Sequence, residues 1–199
     1  VSNSDLTRED AIAEILNSFN DDEIFVTTTG MISREVYETR VKTNKGHFRD
    51  FLTVGSMGHA SQIALGVSLQ TQRNVICIDG DGAFLMHMGG SSTIGQFAKG
   101  NFIHFILNNG SHDSVGGQPT LAQKISLTDI AKEKKKKKSI RLNCRAELGE
   151  FLKINKQNSS PIFVEIIVKK GNRPDLGRPK NRPIDNKIEF QNYVRKVKI

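Results

Sequence analysis

The stretch NVICIDGDGAFLMHMGGSSTIGQFAKGNFIHFILNNG, residues 74–110, decides the fold. It opens on a continuous apolar run, NVICIDG, that reads as a strand ending in a glycine turn. SSTIGQFAKG then places Ile94, Phe97 and Ala98 on one side of a helix that stops at Gly100. NFIHFILNNG is a second apolar strand. The 25 residues from Ala83 to Leu107 hold one helix and one strand, as a parallel βαβ unit requires.

The same alternation extends in both directions. SDLTREDAIAEILNSF predicts a helix with Ser4 or Asp5 as its N-cap and Leu6, Ile12, Ile15, Leu16 and Phe19 at helical spacing. EIFVTTTG (23–30) is a strand, SREVYE a short helix, and DFLTVGSMGHASQIALGVSLQ a strand, a glycine-rich turn and a helix. Downstream come a helix over 128–138, a strand at SIRLN, a helix at RAELGEFLKINKQ and a strand at PIFVEIIV. A Pro-rich arm at 171–184 leads into a terminal helix, NKIEFQNYVRKV. Strands that are apolar throughout, alternating with helices, predict an α/β fold. Its sheet is mostly parallel and doubly wound, with helices on both faces. In such sheets ligands bind beyond the C-terminal strand ends, where the strand order reverses. TTTG, VGSMGHA, IDGDGAF and LNNGSHDS all fall there, along one rim.

Composition excludes some functions. Of 199 residues 37 % are hydrophobic, with Gly 17 and Pro 5, which fits one globular domain. No apolar run reaches membrane length and the N-terminal segment has no signal-peptide pattern, so no membrane partner is expected. Cys77 lies in an apolar strand and Cys144 is distant, which suits two free thiols and a cytoplasmic location. The net charge of +8 owes much to KEKKKKK, residues 132–138. That run has no aromatic neighbours, so it reads as a solvated helix end or loop rather than a nucleic-acid surface. A nucleic-acid binder would rest on this run alone. The NSS sequon at 158–160 carries little weight without a signal peptide.

Each of GDG and NNG is by itself an ordinary turn. Together, across one βαβ unit, they suit a divalent cation and a diphosphate. The Gly82 and Ala83 N–H groups can face an anion, and Asp81 beside that anion is tolerable only with a cation between them. Mg²⁺ wants about six oxygens, some from phosphate. Asp81 can supply a carboxylate oxygen, Asn109 its amide oxygen and Ser111 its backbone carbonyl. A dinucleotide site fits less well, because G-x-G-x-x-G is absent.

Gly80-Asp81-Gly82 followed by Asn108-Asn109 resembles the signature of the thiamine diphosphate (ThDP) enzymes. The resemblance implies a ThDP-binding fold, ThDP and Mg²⁺ as cofactors, and Asp81, Asn109 and Ser111 as the metal ligands. GSMG at 55–58 looks like the turn that grips the aminopyrimidine ring. The Gly55 carbonyl would accept a hydrogen bond from its amine, and Met57 would be the apolar wedge that bends the cofactor. TTGMIS at 28–33, with Gly30, looks like a further diphosphate-side loop. Gly80, Gly82, Ala83 and Ser114 complete the implied cofactor contacts. HDSVGGQPT (112–120), DLGRP (175–179) and NK..F narrow the resemblance, which runs over roughly residues 4–195, to the phosphonopyruvate decarboxylase group. The sulfopyruvate decarboxylases are similar. The lysine run departs from that pattern.

The implied reaction is decarboxylation of a small anionic 2-oxo acid, 3-phosphonopyruvate, to phosphonoacetaldehyde. His112 and Asp113 follow the metal loop and are the candidate catalytic residues, with His112 as a proton or hydrogen-bond donor. A loop histidine bonded to backbone is an equal reading of His112. Gln118 is a weaker candidate; His59 reads as a helix-end residue, and His87 and His104 as packing or surface residues. The ThDP enzymes also need a glutamate on a pyrimidine-binding domain, and no glutamate here has a matching context. The chain is therefore expected to be one ThDP-binding domain over 1–199, inactive alone. Its expected partner is a pyrimidine-binding domain or subunit, in a homo- or hetero-oligomer. A non-catalytic ThDP-binding module is the alternative from another class.

Overall fold

The computed structural model describes residues 4–20, 22–132, 138–154 and 159–196. Helix α1 (Arg8–Ser18) is followed by β1 (Ile24–Thr27), α2 (Met31–Lys42), β2 (Asp50–Leu52), α3 (Ala60–Ser68) and β3 (Val75–Gly80). Then come α4 (Asp81–Met86), α5 (Gly90–Phe97), β4 (Phe102–Asn108), and a small antiparallel pair of β5 (Ser111–His112) and β6 (Gln118–Pro119). The chain continues through α6 (Leu127–Lys132), β7 (Lys138–Leu142), α7 (Arg145–Ile154), β8 (Ile162–Ile167) and α8 (Pro183–Lys196).

Six strands form one sheet in the order β2-β1-β3-β4-β8-β7, and every recorded pairing among them is parallel. The chain winds outward from β1 to β2, then returns to add β3 on the other side of β1. The strand order therefore reverses between β1 and β3. Both faces of the sheet are covered. Ile76 and Ile78 of β3 pack with residues of α1, α2 and α7. Val75 and Cys77, pointing the other way, pack with Ala64, Ile94 and Phe190 of α3, α5 and α8. Ile106 and Phe163 meet Phe84, Leu127 and Ala131 of α4 and α6. This double covering is why the strands are apolar at nearly every position rather than at alternate ones.

Three local expectations are corrected. The first helix is capped by Thr7, not by Ser4 or Asp5. The Thr7 hydroxyl accepts the Asp10 N–H (3.1 Å) and donates to the Asp10 carboxylate (2.6 Å), a reciprocal cap that neither rival can match. Ser4 instead donates to the Ile167 carbonyl at 2.8 Å, tying the entering chain to the end of β8. Second, the segment after GDG is two short helices rather than one. Helix α4 ends at His87 and α5 begins at Gly90, and the Gly89-Gly90 pair has little helix propensity to bridge them. Third, Phe97, the last residue of α5, is 56 % exposed while Ile94 is buried. Ala98, one residue further on, packs against the core instead.

Edge strand β2 is held by a side chain. Asn186 of α8 accepts the Leu52 N–H (3.0 Å) and donates to the Asp50 carbonyl (2.8 Å), replacing the neighbouring strand that β2 lacks. No described helix is long and apolar enough to cross a membrane. Most of the lysine run, 133–137, and the sequon residue at 158 lie outside the described residues.

Candidate functional site

The turns after β1, β2, β3 and β4 meet at the C-terminal edge of the sheet, beside the strand-order reversal. They enclose a cleft lined by Thr28, Thr29 and Met31 from the first turn and by Met57 from the second. Gly80, Asp81, Gly82 and Ala83 form the wall after β3. Asn109, Ser111, His112, Asp113 and Ser114 form the wall after β4. Two expected residues flank the cleft. Gly30, at φ +95°, lies against Ser114, so that a side chain on it would crowd the serine. Gly55 donates its N–H to the Thr29 hydroxyl at 3.2 Å, joining the first two turns.

Asp81 opens α4 and is 2 % exposed. Burial pushes its carboxyl above the ordinary value. The Thr120 hydroxyl, the N–H groups of Gly82 and of Asp81 itself, and His112 pull it back down. The Thr120 hydroxyl donates a hydrogen bond to the carboxylate. No described Lys or Arg pairs with Asp81. A buried carboxylate without a cationic partner is what a divalent ion relieves. The residues present therefore fit Mg²⁺.

The two asparagines do different work. Asn108 donates to Glu165 at 2.7 Å and accepts the Gly110 N–H at 3.1 Å, so it shapes the loop. Glu165 is wholly buried, and desolvation raises its carboxyl against the opposing pull of Asn108 and Arg141. Asn109 donates through Nδ2 to Asp113 at 2.6 Å and accepts the Ser111 N–H through Oδ1 at 3.0 Å. With its nitrogen committed to a carboxylate, the amide oxygen is its atom for a cation.

Asp113 is held by three donors on one oxygen: Asn109 Nδ2, Arg8 Nη1 at 2.9 Å and the Gly171 N–H at 2.9 Å. Arg8 also grips Glu35 through two hydrogen bonds of 2.8 Å. Burial is the largest influence on both partners. It lowers the Arg8 pKa, but the two carboxylates outweigh it and the net shift is upward. It raises Glu35, against the pull of Arg8. These contacts describe a positioning role for Asp113. They leave its second oxygen for any other role.

His112 packs its ring on Gly82 so closely that a Cβ there would overlap it. A side chain at that position would force the ring to move. The ring lines the cleft, and the backbone carbonyl accepts the Gly117 N–H at 3.0 Å. His59 lies at the start of α3 with its ring 4.2 Å from that of His87, and both are exposed. His104 is buried 3.5 Å from Asp79, as a packing residue. Gln118 is exposed in β6.

Arg8, which lines the cleft, and Thr120, which bonds Asp81, are two residues of this region that the sequence did not single out. Thr120 sits within HDSVGGQPT, but its tie to Asp81 spans 39 positions. Arg8 meets Asp113 across 105 positions. Neither separation leaves a periodic or spacing signal.

Comparison with known proteins matches residues 28–166 to the family described as thiamine pyrophosphate enzyme, C-terminal TPP binding domain. The phosphonopyruvate decarboxylase of Streptomyces viridochromogenes is 35% identical over 94% of this chain and 46% of its own length. The chain thus spans about half the length of that relative. The sulfopyruvate decarboxylase subunit beta of Methanothermobacter thermautotrophicus is 35% identical over 84% of each chain. Among solved structures, benzoylformate decarboxylase from Polynucleobacter necessarius superposes with a TM-score of 0.68 at 16% identity, over 85% of this chain and 34% of that one. It shares the fold.

Proposed function

The chain belongs to the thiamine pyrophosphate enzymes through their C-terminal cofactor-binding domain, and from that premise we propose that it is the diphosphate-binding half of a decarboxylase acting on 3-phosphonopyruvate. The observation that carries the reading is the convergence of Asp81, Asn109 and Ser111 in one cleft, facing Met57. Asp81, Asn109 and the Ser111 carbonyl would hold Mg²⁺, and the N–H groups of Gly82 and Ala83 would meet the diphosphate. Bound there, the cofactor would supply the electron sink for loss of CO₂ from a 2-oxo acid. Thr120 keeps the Asp81 carboxylate aimed and ionised. Asp113 keeps the Asn109 amide turned oxygen-outward. His112 is placed to hand a proton or a hydrogen bond to a group bound in the cleft.

No glutamate lines the cleft among the described residues, and Glu35 is consumed by Arg8. The glutamate that activates the aminopyrimidine would therefore come from a pyrimidine-binding domain or subunit. Sulfopyruvate is the second reading. It is supported by the relative named as a beta subunit, which matches over 84% of both chains.

The test is CO₂ release from 3-phosphonopyruvate and from sulfopyruvate, with ThDP and Mg²⁺, by this chain alone and with a pyrimidine-binding half supplied. Turnover only after complementation, lost in Asp81→Ala, is the expected result. Turnover by the chain alone would overturn the missing-glutamate argument. Turnover of sulfopyruvate only would move the substrate to the second reading.

A further inference from the structure

A substrate carrying a carboxylate and a second oxyanion needs cationic partners. The cleft does not offer a free one. Its single arginine, Arg8, is bound to both Glu35 and Asp113. Asp81 adds a further negative charge, which the metal would absorb.

Of the other described arginines, Arg40, Arg73, Arg141, Arg145, Arg173 and Arg182 each face a carboxylate within 4.0 Å. Arg49 bonds the Asn20 carbonyl. Arg34, Arg178 and Arg195 make no recorded ion pair or hydrogen bond with a described residue. Two of these three, Arg34 of α2 and Arg178 of the DLGRP arm, line one cavity of about 380 Å³. No described carboxylate lines it. The cavity on the other side of the cleft, beside Lys169 and Lys170, also carries Glu9 and Glu35, and its two arginines, Arg8 and Arg173, are committed to those carboxylates.

The Arg34 cavity adjoins the cofactor cleft. Thr29 lines both, Gly30 lines the cavity, and Val54 brings in the residue just before Gly55. The Thr29 hydroxyl, through its bond to the Gly55 N–H, holds the two turns that separate the spaces. Tyr37 and His47, stacked with ring centroids 4.2 Å apart, line the same cavity and give it an apolar wall. Two guanidiniums, an aromatic wall and no competing carboxylate fit a tetrahedral oxyanion on a small carbon body.

We propose that Arg34 and Arg178 bind the tetrahedral oxyanion head group of the substrate, phosphonate or sulfonate, beside the β1–α2 turn. This rests on the decarboxylase reading, deepens it, and assigns the head group to this half of the enzyme. Forked guanidinium donors suit such a head group better than an ammonium does.

Two measurements keep the assignment separate from that reading. First, methylphosphonate is titrated into this chain without cofactor or partner, by isothermal calorimetry. Saturable binding is expected, weakened about 10- to 100-fold in Arg34→Met and in Arg178→Met. Arg178 is exposed, so its variant keeps the fold, and a matching urea midpoint checks this for both. Second, in the complemented enzyme the same variants should raise KM for 3-phosphonopyruvate by about the same factor while leaving KM for pyruvate, which lacks the head group, unchanged. Equal methylphosphonate affinity in wild type and both variants would overturn the site, whatever substrate the enzyme proves to use. Binding lost in the variants with KM unchanged would also overturn it as a substrate site, and would assign the pair to a free phosphate-like anion. Failure of wild type to decarboxylate either acid, with methylphosphonate binding intact and arginine-dependent, would refute the decarboxylase reading and leave the oxyanion site standing.

Discussion

Arg8→Met tests the network behind the metal loop. The side chains of Arg8, Glu35 and Asp113 are 5 %, 3 % and 9 % exposed, so one guanidinium serves two nearly dry carboxylates. Methionine fills a similar volume but leaves both carboxylates without their cation. Breaking a buried pair by removing one partner costs about 3–5 kcal/mol, because the stranded charge remains. With a urea slope of roughly 2–3 kcal/mol/M for a domain of this size, the unfolding midpoint should fall by about 1–2 M at pH 7. Urea titration followed by circular dichroism measures it. The deficit should shrink on acidification. Burial already holds the Glu35 carboxyl above its ordinary value, and losing Arg8 pushes it higher. A raised folded pKa means stability that is fully present below the unfolded value of about 4.3 and lost as pH rises through the folded one. The same variant should weaken Mn²⁺ binding about 10- to 100-fold, read by electron paramagnetic resonance, because Asp113 would no longer be held against Asn109. A midpoint shift below about 0.3 M, equal at pH 5 and pH 7, would refute the reasoning.

Gly82→Ala should fail by collision with His112 rather than by backbone strain. It should cost roughly 1–3 kcal/mol, much of it recovered in the double variant with His112→Ala, and additive losses in a thermal-denaturation cycle would contradict that contact. Asn186→Ala removes both hydrogen bonds that dress the β2 edge and should cost about 1–3 kcal/mol, with faster hydrogen exchange confined to residues 50–52. Glu165→Gln should flatten the pH dependence of stability above the ordinary glutamate pKa of about 4.3. Burial raises the native carboxyl, so wild type loses stability as pH rises through its folded pKa and the variant does not; parallel profiles would argue against this.

How far the sequence could be read depended on the range of each interaction. The runs at 75–80, 102–108 and 162–167 are strands because apolar side chains cover both faces, and continuous apolarity is visible in one dimension. The four turns could be placed on one rim because each follows a strand in a parallel sheet. Their meeting in one cleft followed from that topology, and the paired GDG and NN motifs, together with the family resemblance, named most of its lining. Local rivals were harder. The sequence pointed to Ser4 or Asp5 as the cap, and the Thr7–Asp10 reciprocity that overrules both is seen only in the folded chain. The break at Gly89-Gly90 was hidden by an apolar pattern that reads equally well as one helix. Phe97 has helical spacing from Ile94, yet it is Ala98 that packs against the core. Arg8, Thr120 and the Asn186 clamp act between segments far apart in the chain, where no local pattern records them. The unpaired state of Arg34 and Arg178 is likewise a property of the folded molecule.

The sheet order also sets a sequence of events in time. Strand β8 pairs with both β4 and β7, and β7 has no other recorded strand partner. Until residues 162–167 emerge, β4 is an open edge with every residue from Phe102 to Asn108 apolar or destined for burial. Such an edge invites pairing with another chain. Strand β7 must wait beside it, undocked. The last strand made is therefore the one that closes the sheet, and the interval before it arrives is when a nascent chain of this fold is most exposed to misassembly.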